Sequence, residues 1–259
     1  MKKILMILAV VLFSCNVNAQ DKLYLLFEFM HVDNEQQTAY WETEAFWEKI
    51  HQERVKNGDI VGWDLWQLQP GGEKQGAQFL TVTVYNDPVK MMSGAGDWNA
   101  ALKAAYPDMS EEDLNTKFNE APKTRDLTHR LYLEDIANTD DDFDMPVGTI
   151  AAMNMMKVEQ GNYGAYEKAE NEIFKKDHNE AVKNGNLGSW SLARIMFPYG
   201  SDTYASHMTF DMFKDYTQFF NRGNENVTYS EEEVKKMNEG IALRDMKFTY
   251  IGTLVKKVR

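Results

Sequence analysis

The chain has 259 residues and 43% hydrophobic content, enough for a real core in one or two domains. Its 28 Lys and Arg stand against 40 Asp and Glu, a formal charge of −12 with no basic cluster to offset it, so phosphate backbones repel it and nucleic-acid binding is excluded. A single cysteine, Cys15, excludes internal disulfides and thiolate metal sites.

In chain order, Met1-Lys2-Lys3, the apolar run Ile4 to Phe13 and the small residues ending at Ala19 have the order of a secretion signal over residues 1–19. They predict export to the periplasm or beyond. Leu12-Phe13-Ser14-Cys15 offers a second route, a lipoprotein anchored through Cys15. The run is too short for a transmembrane helix, which needs about 20 residues, and no later segment is apolar enough. Leu23 to Val32 then predicts a strand. Gln36 to Asn57 predicts a helix with Tyr40, Trp47, Ile50, His51, Arg54 and Val55 on one stripe, stopped by Gly58. Val61 to Gln69 is a second strand, Pro70-Gly71-Gly72 a turn, Gln78 to Tyr85 a third strand, Pro88 to Ala121 a broken helical region, and Leu127 to Leu133 a fourth strand. The acidic tract Asp140-Asp141-Asp142-Phe143-Asp144 lacks the Gly and closing Glu of a calcium loop and is expected to be a linker over 138–147.

The order then starts again. Trp47 to Gly58 aligns with Phe174 to Gly185 at a shift of 127, with seven of twelve pairs identical; average composition gives roughly one by chance. The same shift pairs Trp63 with Trp190, and at about 120 Ser110-Glu111-Glu112 matches Ser230-Glu231-Glu232 and Arg125-Asp126 matches Arg244-Asp245. Thr149 to Val158 repeats the first strand, and Gly185 stops the second helix. The mature chain is therefore two copies, 20–137 and 148–259, of a β-α-β-β-α-β ferredoxin-like α+β unit.

A ferredoxin-like unit whose helix ends in Gly58 or Gly185, followed by an apolar strand carrying Trp63 or Trp190, resembles the dimeric α+β barrel superfamily. NIPSNAP-like proteins, antibiotic-biosynthesis monooxygenases and haem proteins such as chlorite dismutases belong to it. The resemblance spans about residues 22–258 and implies two four-stranded sheets packed face to face around a pocket. With both copies in one chain, it implies a pseudo-dimer that stays a monomer. The segment Ile50-His51-Gln52-Glu53-Arg54-Val55 is similar to exported proteins of Bacteroidetes-type bacteria, which gives a lineage but no reaction.

Several residues could carry chemistry. His51 and His178 occupy matching positions beside the buried stripe and are the candidate catalytic pair, as general base or haem ligand; a structural role fixing helix to sheet is the other reading. Trp63 and Trp190 either wall a pocket or fill the core. Glu28, His129, Asn154, Arg194 and His207 break the apolar pattern of strands, as ligand-binding groups in a barrel pocket would. An exposed strand face explains them equally well. Arg125 and Arg244, each followed by Asp, suggest an ion pair at the strand entrance. Met153-Asn154-Met155-Met156 fits core packing better than copper binding. No zinc spacing, phosphate loop or nucleophile elbow occurs. The expectation is a protein that binds a small apolar or aromatic molecule between its sheets, with no cofactor and no resident metal. A cofactor-independent oxygenase or haem enzyme, with His178 or His51 as axial ligand, and an envelope scaffold are the alternatives.

Overall fold

A computed structural model describes residues 22–69, 72, 74–223 and 228–259. The secretion signal, Cys15 and the Pro70-Gly71 part of the predicted turn lie outside the described residues. Strand β1 (Tyr24–His31) leads to helix α1 (Gln37–Lys56), then β2 (Gly62–Gln69) and β3 (Phe79–Tyr85). The broken helical region becomes three short helices, α2 (Pro88–Ser93), α3 (Trp98–Ala105) and α4 (Glu111–Glu120), before β4 (Asp126–Asn138). Asp87, Asp97 and Ser110 start these helices by accepting hydrogen bonds from backbone amides of the first turn, each contributing about 1 kcal/mol. The second copy has β5 (Ile150–Val158), α5 (Tyr163–Ala169), a π-helical turn (Glu170–Phe174), α6 (Lys175–Lys183), β6 (Ser189–Phe197), β7 (His207–Phe213), α7 (Tyr216–Asn221), α8 (Glu231–Ile241) and β8 (Arg244–Val258).

The eight strands close into one barrel in the order β1-β3-β2-β8-β5-β7-β6-β4. Closure depends on the two longest strands. β4 runs on past the predicted end at Leu133 to Asn138, pairing first with β1 and then with β6. β8 likewise pairs with β5 and then β2. Each copy's last strand thus covers the other copy's free edge, so the sheets are stitched edge to edge and no open edge is left. Side chains alternate along each strand. One set, with Phe27, Trp66, Leu80, Leu133, Met153, Met208, Phe210 and Leu254, fills the middle of the barrel. Gly252 is closely packed there: a Cβ would meet Met153 Cε at 2.8 Å and Trp66 at 3.2 Å, so a side chain would have to displace the flexible end of Met153. The other set packs against the outer helices: Met30, Trp63, Leu65 and Phe79 with Tyr40 in copy one, Trp190, Leu192 and Phe213 with Tyr166 in copy two.

The π-helical turn has a sequence cause. Tyr40 and Glu44 match Tyr166 and Glu170 at a shift of 126, whereas His51 matches His178 at 127. One residue has been inserted between them, and the helix absorbs it as a π-bulge at Glu170–Phe174 rather than rotating its remaining face off the sheet.

Candidate functional site

In copy one, a cavity of about 370 Å³ lies outside the barrel, between the outward face of β1, β2, β3 and β4 and the helices α1 to α3. Glu28, Trp63, Thr81 and Thr83 line it from the strands, Glu44, Trp47, His51 and Arg54 from α1, and Trp98 from α3. Arg125 and Arg130 complete it from the start of β4. The α1 residues fall on one helical face, which puts charged and aromatic groups against the sheet together.

The His51 ring stacks on Trp63 with centroids 4.9 Å apart and planes 19° apart. Arg54 donates from Nη1 to His51 Nδ1 at 3.3 Å, and from Nη2 to the carbonyls of Gly94 and Ala95. Its guanidinium also lies 3.9 Å from the centroid of Trp98, whose Nε1 donates to Gly94 O at 3.1 Å. A guanidinium can only donate, so His51 Nδ1 is the bare nitrogen and Nε2 carries the proton. Burial, and secondarily Arg54, pushes the His51 pKa down, so the ring is neutral at pH 7.

Glu44 is a strongly perturbed carboxyl in the same cavity. It is 1% exposed, and its pKa is pushed up to about 7 by burial, with Arg125 opposing the shift. Arg125 Nε lies 3.6 Å from Glu44 Oε1, an ion pair too long for a hydrogen bond. Glu44 Oε1, Tyr40 Oη and Trp47 Nε1 are buried without hydrogen-bond partners. Buried polar atoms are nearly always paired; of these three residues Glu44 and Trp47 line the cavity, where a ligand would meet them, and in copy two the matching Tyr166 Oη and Arg244 Nε are unpaired as well. Glu28, by contrast, is held by Arg130, which donates from Nε at 3.0 Å and Nη2 at 2.6 Å. Three arginines thus face two carboxyls, one of which titrates near neutrality, making the cavity locally cationic within an acidic chain.

Copy two keeps part of this arrangement. Tyr166, Glu170 and Arg244 repeat the Tyr40, Glu44 and Arg125 cluster, with Arg244 Nε 3.5 Å from Glu170. Asn154 replaces Glu28 and Thr249 replaces Arg130. Asn154 donates to Thr209 Oγ1 at 3.2 Å and Asp211 Oδ2 at 3.0 Å and accepts from Thr249 at 2.8 Å. Ala181 stands where Arg54 does. His178 stacks on Trp190 at 4.7 Å and 11°, and burial pushes its pKa down to about 4. Arg194 and His207 both bind Glu167, at 2.6 Å and 3.0 Å, while the other ring nitrogen of His207 faces Ser206 Oγ at 3.0 Å.

The residues singled out from sequence therefore divide into three groups. Glu28, His51 and Trp63 meet in the copy-one cavity. Asn154, His178, Trp190, Arg194 and His207 lie under the helices of copy two. Of the nine, His129 alone faces the barrel interior, edge-on to Phe29. Arg125 and Arg244 pair with Glu44 and Glu170 of the helices rather than with the Asp that follows each. Glu44 and Tyr40 were not among the sequence candidates for chemistry.

No family model and no curated protein matches the sequence. Solved structures do match the fold. A proposed monooxygenase from Fusobacterium nucleatum is 11% identical, with 92% of this chain and 94% of that one covered and a TM-score of 0.56. An anthrone oxidase-like protein is 10% identical over 92% and 93%, at 0.55. A proposed chlorite dismutase is 8% identical over 91% and 95%, at 0.50. The fold is a dimeric α+β barrel built from one chain.

The haem alternative raised from the sequence can be tested against the residues. A histidine that ligates a metal almost always donates its other ring N–H to an acceptor. At His51 the polarity is reversed: Nδ1 accepts from Arg54, and the proton sits on Nε2, the nitrogen that would have to bind iron. Both nitrogens of His207 are engaged, and His178 does not line the copy-one cavity. The copy-one site does not fit haem. Among the described residues no group of three or more His, Cys, Asp or Glu could hold a metal ion.

Proposed function

We propose that the protein is an exported α+β barrel that binds a small aromatic molecule with an acidic proton in the copy-one cavity and removes that proton with Glu44, the arginines holding the anion that results, without a cofactor. The carrying observation is Glu44 itself, a buried carboxyl with an unpaired oxygen and a pKa of about 7. A general acid or base works best when its pKa lies near the working pH. Trp47, Trp63 and Trp98 give the cavity an aromatic lining, and the arginines favour an anion. As base, Glu44 takes an acidic proton from the substrate; Arg125 stabilises its carboxylate before that transfer, when it carries the charge. Proton removal to give an electron-rich anion is the first need of a cofactor-independent oxygenase, and the shared fold with a proposed monooxygenase and an anthrone oxidase-like protein supports that reaction class.

Titration with 1-naphthoate, a mimic of the anion left after proton transfer to Glu44, read by tryptophan emission, tests this. At pH 6 Glu44 is protonated and the anion binds; at pH 8 the carboxylate repels it. A unit charge a few ångströms away is worth about 1–2 kcal/mol at an intermediate dielectric, so Kd weakens by roughly tenfold. Glu44→Gln removes the pH dependence. Absence of saturable quenching, or the same pH dependence in the variant, refutes the proposal.

A further inference from the structure

We infer that the barrel itself carries a second, separate ligand site at one open end, built for a neutral, mostly apolar small molecule. A cavity of about 450 Å³ opens there, walled by Phe29, Leu131, Met155, Ile195, Phe248 and Tyr250. Its size is that of a pocket for a drug-sized ligand.

The two ends of the barrel differ. At the opposite end the cavity is smaller, about 250 Å³, and is lined by charged groups: Arg259 pairs with Asp64 through hydrogen bonds of 2.8 Å and 2.9 Å, and Met145 from the segment between the copies packs on the core. The larger cavity holds no such ion pair among the described residues. Phe248, on the inward face of β8 and paired with Met155, remains 38% exposed, and Tyr204 in the β6–β7 loop is 55% exposed. Inward-facing aromatic surface left wet at one mouth is what an apolar ligand would cover.

The mouth is also held in shape. Lys157 donates to the carbonyls of Ser201 at 2.8 Å and Thr203 at 2.6 Å, fixing the loop that forms one wall. Tyr204 Oη donates to the Lys247 carbonyl at 2.9 Å, tying the same loop to β8. A wall fixed in advance lowers the ordering cost of binding. The polar groups in the lining are neutral amide and hydroxyl groups, with His129 on β4. Among the described residues no Asp, Glu, Lys or Arg lines it, so a formal charge on the ligand would go unpaired. Burial raises the Tyr250 pKa, keeping its hydroxyl a donor for a single polar end. This site shares no lining residue with the copy-one cavity and stands or falls independently of the proton-transfer reading.

The probe is N-phenyl-1-naphthylamine, neutral and fluorescent only in apolar surroundings, added to the full mature protein. Saturable binding of one probe per chain is expected. Phe248→Lys, at the rim and tolerated by its exposure, weakens it at least tenfold. Met155→Trp, which fills the cavity, abolishes it while the circular dichroism spectrum stays native. Excess 1-naphthoate does not displace the probe. No saturable binding, or binding unchanged in both variants, overturns the inference. Displacement by 1-naphthoate also overturns it, since the probe would then occupy the copy-one cavity.

Discussion

Replacing Glu44 by glutamine tests the site without knowledge of any substrate. In the folded protein burial holds this carboxyl at about 7 against its usual 4.5. Folding therefore takes up a proton between those values. The stability this contributes is fully present below pH 4.5 and is lost as pH rises through 7. At 1.36 kcal/mol per pH unit of separation, the loss is about 3 kcal/mol. A glutamine side chain does not titrate, and the effect of the change on Arg125, which loses its ion-pair partner, is a constant offset. Urea unfolding of wild type and Glu44→Gln at pH 4, 5, 6, 7 and 8 gives the difference directly. Wild type should lose about 3 kcal/mol relative to the variant across that range, with most of the change between pH 4.5 and 7. Other titrating groups are common to both proteins and cancel. A difference that stays constant with pH would show that Glu44 ionises normally in the folded state, and the proton-transfer role would fail with it.

His178 should act in the opposite sense: held at about 4 instead of 6.5, it contributes stability above pH 6.5 that is lost as pH falls through 4, so His178→Phe should flatten the acid side of the urea-midpoint profile. An unchanged acid side would contradict its burial. Trp190→Ala empties a fully buried indole site and should cost about 3–5 kcal/mol, read as a fall in Tm; a loss under about 1 kcal/mol would mean the ring does not hold helix to sheet. Haem reconstitution should give no Soret band that depends on His51, and a band removed by His51→Ala would overturn the proton placement argued from Arg54. Light scattering should find single chains, because the two copies already supply both halves of the barrel; a stable dimer would mean that another surface associates.

The sequence made the architecture readable because the copies kept their punctuation. Gly58 and Gly185 mark the same helix end, and Trp63 and Trp190 the same strand, so comparing the halves exposes the common plan. The pairs His51–Trp63 and His178–Trp190 prove to be matching helix-to-sheet stacks. Edge-to-edge closure was less legible, since nothing within Glu134 to Asn138 announces that β4 continues onto β6. Glu44 was hidden for a specific reason. It looks like one more helix acid beside Glu42 and Glu48, and its partner Arg125 is distant in sequence. At the shift of 127 that aligns the helix ends it faces Asn171, and only at 126, N-terminal to the inserted residue, does the repeated Tyr, Glu and Arg cluster come into register. The cavity depends on packing of α1 to α3 over the sheet, which hydrophobic patterning does not encode.

The most direct test is a crystal of the protein soaked with 1-naphthoate at pH 6. Density for the ring in the copy-one cavity, with the carboxylate toward the arginines and within reach of Glu44, is the predicted result. Clear density elsewhere on the molecule, or a copy-one cavity holding only solvent at saturating ligand, would contradict it.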